Sequence, residues 1–122
     1  MKIAITIWGN RISPVFDSAS TLMIVQVEDL NIVSRIFQEF NPKAIARILS
    51  ILKEFQIDAL ICGAISDIEA KPIEQSGVKL ISFVTGNTDK VLASLLKTPH
   101  RISDYLMPGA VSDINFKNPL WF

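Results

Sequence analysis

Cysteine is nearly absent from this sequence: Cys62 is the only one in 122 residues, and His100 is the only histidine. One thiol excludes an internal disulfide framework, and with it any zinc site or metal cluster held by several cysteines of one subunit. One imidazole excludes a two-histidine metal motif. Net charge is missing too, because twelve Lys and Arg balance twelve Asp and Glu. No basic cluster forms the stripe that a phosphate backbone requires, so no nucleic-acid partner is expected. The longest apolar runs fall far short of the ~18 residues of a membrane span, so no membrane partner is expected either. The opening Met1-Lys2-Ile3-Ala4-Ile5-Thr6-Ile7 has the early lysine and apolar run of a signal peptide. It is too short and lacks a small-residue cleavage site, and it reads as the first strand of a cytoplasmic protein.

What is present is a composition 49% hydrophobic and 20% charged, suited to one domain with a sheet buried on both faces. Lys2 to Trp8 alternates Ile3, Ile5, Ile7 with Ala4, Thr6, Trp8, the period of a strand. Thr21 to Glu28 and Ile32 to Glu39 form a hairpin turning at Asp29-Leu30-Asn31. Asn41 as cap and Pro42 at the first helical position open a helix whose apolar stripe is Ile45, Ile48, Leu49, Leu52 and Phe55. Asp58 to Cys62 reads as a buried parallel strand. Ser66-Asp67-Ile68-Glu69 has capping-box spacing, but Pro72 argues for a short turn and then a helix mostly from Lys71 to Gln75. Val78 to Val84 is the fifth strand, and Val91, Leu92, Leu95 and Leu96 stripe a last helix that Pro99 ends.

Three meander strands followed by two right-handed parallel units give an α/β, three-layer fold. Its mixed five-stranded sheet has order 3-2-1-4-5 with helices on both faces, as in ribonuclease H-like proteins. Residues 1 to 99 form this domain. Residues 100 to 122 are an extension in which Pro108-Gly109, Ser112-Asp113 and Pro119 resist regular structure. It ends Leu120-Trp121-Phe122, so it reads either as a frayed tail or as an arm that docks its aromatics on its own body or a partner.

Ligands of open α/β sheets bind outside the carboxyl ends of strands, where the topology reverses. Three loops meet there: Trp8 to Ser18, Cys62 to Ser66 and Thr85 to Asn87. The first is too long and irregular for a simple hairpin turn. Gly9, Gly63 and Gly86 let backbone N–H groups approach a ligand, and two helix amino ends facing the edge favour an anion. Cys62 is either a core filler or a thiolate, and Asp17 and Asp67 are the carboxylates near the edge. A nuclease of this topology needs clustered carboxylates around divalent ions, and the first strand offers Thr6 and Trp8 instead. A cysteine–histidine hydrolase needs His100 beside Cys62, and nothing places it there. Binding without catalysis is the expectation.

The strand Lys2-Ile3-Ala4-Ile5, the loop Gly9-Asn10-Arg11-Ile12-Ser13-Pro14-Val15-Phe16-Asp17-Ser18-Ala19, the run Asp58-Ala59-Leu60-Ile61-Cys62-Gly63-Ala64-Ile65, and Gly77-Val78-Lys79-Leu80 leading to Thr85-Gly86-Asn87 resemble the dinitrogenase iron-molybdenum cofactor biosynthesis domain. That family includes NifX-like and NafY-like proteins and the carboxyl-terminal part of NifB-like proteins. The resemblance covers residues 1 to 97. It implies the ribonuclease H-like fold without nuclease activity, and a carrier for an iron-sulfur or molybdenum-containing cluster or its precursor.

In the family's loop, Ser, any residue, His or another residue, Phe, Gly or Asp, and then Ala two positions on recur. Ser13, Phe16, Asp17 and Ala19 fit, while Val15 stands where many members have histidine. The implied site comprises Trp8, Gly9, Asn10, Arg11, Ser13, Phe16, Asp17, Cys62, Gly63, Ala64, Thr85, Gly86 and Asn87, with Cys62 the one soft metal ligand. One thiolate cannot saturate a cluster, so amides, Arg11, solvent or a second subunit would complete it. The implied partners are the cluster and its donor and acceptor proteins, with the chain a monomer or weak homodimer. Two readings compete: a metal-free protein-interaction or regulatory module of the same fold, and a small-anion or nucleotide-binding enzyme, which lacks a general base in reach.

Overall fold

The computed structural model describes residues 1–107. The strand β1 (Lys2–Trp8) runs through the middle of a mixed sheet. The two-residue β2 (Arg11–Ile12) turns back on its end, with Trp8 opposite Arg11. β3 (Thr21–Glu28) and β4 (Asn31–Glu39) complete the antiparallel side. After helix α1 (Ile45–Glu54), β5 (Ala59–Ile61) pairs parallel with β1. After helix α2 (Asp67–Gln75), β6 (Lys79–Ile81) pairs parallel with β5, and helix α3 (Thr88–Lys97) follows. The main path is β4-β3-β1-β5-β6, which is the expected 3-2-1-4-5 order of a ribonuclease H-like fold. A sixth, short strand was not expected.

Alternation along β1 divides the core into two layers. Ala4 joins Leu22, Ile24, Leu60 and Cys62 beneath α1 and α2, where Ile48, Ile51, Leu52 and Ile73 cover them. Ile3 and Ile5 join Met23, Val25 and Ile61 beneath α3, where Val91, Leu92, Leu95 and Leu96 do the same. No helix among the described residues is long and apolar enough to cross a membrane.

Several boundaries differ from expectation. Gly9-Asn10 makes a tight hairpin turn with Gly9 at φ 64°, so the long loop begins as a hairpin after all. The stretch Asn41 to Ala44 forms its own turn, in which the Asn41 side chain accepts from Lys43 N–H at 3.0 Å and its carbonyl accepts from Ala44 N–H at 3.0 Å. Helix α1 therefore starts at Ile45, and Pro42 lies outside it. Helix α2 runs unbroken through Pro72. The proline removes one backbone donor, to the carbonyl of Ile68, and Ile68 sits on the exposed side at 85% exposure.

The expected domain boundary after Pro99 falls inside packed structure. A 3-10 segment, Pro99–Tyr105, follows α3 directly, and its Ile102 is fully buried in the α3-side core. Thr85 N–H donates to the Tyr105 carbonyl at 2.7 Å, and Met107 N–H donates to the Phe83 carbonyl at 2.8 Å. The expected arm over Leu120-Trp121-Phe122 lies outside the described residues.

Candidate functional site

The three loops at the carboxyl edge are joined by backbone hydrogen bonds. Val15 and Ala64 form a parallel bridge in which Phe16 N–H donates to the Ala64 carbonyl at 2.8 Å and Ala64 N–H to the Pro14 carbonyl at 2.9 Å. Arg11 and Asn87 form an antiparallel one, with Ile12 N–H on the Gly86 carbonyl and Thr88 N–H on the Asn10 carbonyl, both at 3.0 Å. In this pattern the bonds come from the flanking residues, so the Arg11 and Asn87 amides point away from the bridge: that of Arg11 onto Trp8 of β1, within the hairpin, and that of Asn87 outward. Phe83 N–H donates to the Gly63 carbonyl at 2.9 Å and ties the second loop to the third.

Gly63 makes the first junction possible by lacking a side chain. A Cβ there would overlap the carbonyl oxygens of Ser13 and Pro14 and lie 2.6 Å from the Pro14 carbonyl carbon. Gly86, at φ 124°, needs glycine for its backbone conformation. The glycines thus serve loop packing first, and much of the amide capacity expected for a ligand is spent between loops.

The anticipated site residues separate into two sets. Trp8, Gly9, Asn10, Arg11 and Asp17 are exposed, and Ala64, Thr85, Gly86 and Asn87 are partly so. Ser13, Phe16, Cys62 and Gly63 are buried. Phe16 packs on Phe40, with ring centroids 5.8 Å apart, and belongs to the core rather than to a binding wall. Ser13 is 1% exposed, and its hydroxyl donates to the Val15 carbonyl at 3.0 Å. Cys62 is fully buried, and desolvation, aided by the Glu69 charge, pushes its thiol up to about 12. Its sulfur offers no ligand at the surface of this conformation. The nearby Thr6 hydroxyl is also fully buried and has no hydrogen-bond partner among the described residues.

Charge at the edge differs from expectation as well. Helix α2 is capped by Ser66, whose hydroxyl accepts from Glu69 N–H at 3.4 Å and donates to the Glu69 carboxylate at 2.9 Å. Helix α3 is capped by Asn87, which accepts from Lys90 N–H at 3.1 Å. Both first turns carry acids, Asp67 and Glu69 in α2 and Asp89 in α3. These oppose the partial positive charge of the helix ends, so the ends do not by themselves favour an anion. It is Glu69 rather than Asp67 that meets Asp17: burial, then the Asp17 side chain, hold the Glu69 carboxyl above its ordinary range, with Ser66 acting the other way. Arg11 is the one basic residue of the three loops.

Sequence reasoning missed three contributors. Val15 is 44% exposed beside the Ala64 bridge. Phe83 is 39% exposed and held at φ 61°, a strained conformation for an aromatic residue. Glu69 had been seen only as a cap. An aromatic followed two residues later by Thr-Gly-Asn gave no signal of a left-handed turn, because that turn is imposed by bonds to Gly63 and Met107. Among the described residues no group of three or more His, Cys, Asp or Glu is placed to hold a metal ion. A groove of about 510 Å3, lined in part by Leu52, Gln56, Ile57 and Gly77, lies instead by the amino ends of β5 and β6.

Residues 1–98 match the family model described as dinitrogenase iron-molybdenum cofactor. No curated protein matches the chain. Among solved structures, a dinitrogenase-like protein of Methanocaldococcus jannaschii is 24% identical over 80% of this chain and 88% of its own, with TM-score 0.65. A NifB-like protein of Thermotoga is 15% identical over 80% and 88%, with TM-score 0.63. The protein PH0822 is 15% identical over 79% and 90%, with TM-score 0.70. At these identities the likenesses establish the fold.

Proposed function

The chain belongs to the dinitrogenase iron-molybdenum cofactor family, and from that premise we propose that it is a non-enzymatic carrier in cofactor assembly. Its cargo is an iron-sulfur or molybdenum-containing cluster, or a precursor of one, held at the carboxyl edge of the sheet. The observation that carries this reading is the junction of three loops at that edge, with Arg11 as their sole cation and Trp8, 71% exposed, beside it. An anionic cluster is held there by the Arg11 guanidinium and by the outward amide of Asn87, with Trp8 and Phe83 as walls. Protein thiolate and imidazole have no part in the cradle, so the cargo keeps its own terminal ligands and can be handed on. Trp8, Val15, Ile68 and Phe83 are exposed apolar residues of this same end, a surface suited to donor and acceptor proteins. They also support the competing reading, a protein-interaction module that binds no metal.

Anaerobic reconstitution with iron, sulfide and molybdate, followed by metal analysis and visible absorption, separates the two. The expected result is stoichiometric metal with charge-transfer bands. Arg11→Ala should weaken retention about tenfold or more, the loss of one charged hydrogen-bonding group, and Cys62→Ala should leave retention unchanged. Protein that takes up no metal would leave only the interaction module.

A further inference from the structure

The two edges of the sheet are unequal. β6 is three residues long, and the chain after it is covered by the Val84–Leu106 bridge. β4 is nine residues long, and among the described residues no strand pairs with its outer side. It is also the most exposed strand, with Val33 at 53%, Ile36 at 44% and Phe37 at 64%. Long apolar edges invite pairing with another strand unless they are blocked by prolines, inward charges or bulges. β4 has one such device: Gln26 faces Ser34 and Val27 faces Ile32, which leaves Val33 as an extra, bulged residue. The bulge turns the first part of the strand away, and the segment from Ser34 to Glu39 remains open.

We propose that β4 is a self-association edge, on which two copies pair antiparallel about a two-fold axis at Phe37 to form one continuous sheet. The sequence of the strand selects this register. A two-fold pairing sets one residue opposite itself and the others symmetrically about it. Centring on Arg35 opposes two guanidinium groups. Centring on Ile36 sets Glu39 against the bulged Val33, and centring on Gln38 runs the pairing into Asn41-Pro42. Centring on Phe37 sets Arg35 opposite Glu39 twice, an opposite-charge cross-strand pair on each side of a Phe–Phe contact.

All three side chains share a face. Phe37, Arg35 and Glu39 stand opposite Met23, Val25 and Thr21 of β3, and Met23 and Val25 point into the core under α3. Arg35 is already steadied on that face by Asp89, at 2.6 Å. The contact is small beside the roughly 1,200–2,000 Å2 of standard interfaces, so the association is weak, with a dissociation constant on the order of 100 μM.

The arrangement bears on the cargo. β4 and β1 are both antiparallel to β3 and therefore run the same way. Pairing β4 antiparallel with its copy sends the two carboxyl edges to opposite ends of the joined sheet. Each edge stays open to a partner, and neither copy can lend a ligand to the other.

Sedimentation velocity of the full chain from about 10 μM to 1 mM tests this. The sedimentation coefficient should rise towards that of a dimer across the range, Glu39→Arg should weaken association about tenfold, equivalent to about 1.4 kcal/mol, and the swap Arg35→Glu with Glu39→Arg, made together with Asp89→Lys so that residue 35 keeps its partner on α3, should restore it. Register is read separately: residues facing themselves across antiparallel strands lie about 4.5–5.5 Å apart, within disulfide reach. Phe37→Cys should therefore oxidise to a linked dimer, and Val33→Cys should not. A monomer throughout, association indifferent to Glu39→Arg, or equal linking at both positions would overturn the proposal.

Discussion

At the level of single residues, Gly63 holds the candidate site together, because its missing side chain lets the first loop lie on the second. Gly63→Ala should cost about 1–3 kcal/mol, as overpacking does, and denaturant midpoints will measure it. The strain falls on the Phe16–Ala64 and Ala64–Pro14 hydrogen bonds, so the first loop should loosen before the core does. Glu69 gives a pH-dependent prediction. Its carboxyl binds a proton more tightly in the fold than at its ordinary value of 4.5. Its contribution to stability is thus fully present below that value and is lost as pH rises through the raised one. Glu69→Gln keeps the capping geometry and removes the repulsion with Asp17. Its thermal midpoint relative to the parent should therefore be higher at neutral pH than in acid, and an equal difference at both would contradict the assignment. Gly63 and the loop that carries Arg11 were legible from residue type. The burial of Cys62 was one of the two readings left open by its place at the end of an apolar strand; that of Ser13 and Phe16 was not legible, because loop residues gain or lose exposure by how the loop folds back, and local pattern does not encode that.

At the level of elements, period and punctuation identified β1, β3 and α3 closely, since long apolar alternation and a capped stripe compete with few alternatives. The failures lie where a strong local rule met a stronger neighbour. Pro72 was expected to interrupt α2, but the Ser66–Glu69 cap and burial of Ala70 and Ile73 hold the helix through it. Pro72→Ala restores the lost donor in the helix and should stabilise the protein by about 1–3 kcal/mol, read as a higher denaturation midpoint. Pro42 was expected inside α1, but the side chain of Asn41 caps a turn rather than a helix. β2 escaped notice because two residues carry no period. It matters, since this hairpin places Arg11 beside Asn87 and so brings the first and third loops together.

At the level of the whole molecule, strand order follows from chain order, short connections and right-handed crossovers, and so the sequence alone locates the carboxyl edge. It does not locate the packing of residues 99–107 back onto that edge, because Pro99 and a run without period look like the end of a domain. Among the described residues the fold therefore offers one end with joined loops that carry a single cation, Arg11, and exposed aromatics, an unpaired strand at one side, and a separate groove at the other end. The central claim is that cargo sits at the loop end. Paramagnetic broadening of backbone amide signals by an anaerobically reconstituted cluster tests it most directly. We expect the signals of residues 8–11, 63–65 and 85–87 to broaden selectively; broadening centred on Gln56 and Gly77 at the opposite edge, or none with metal bound, would contradict it.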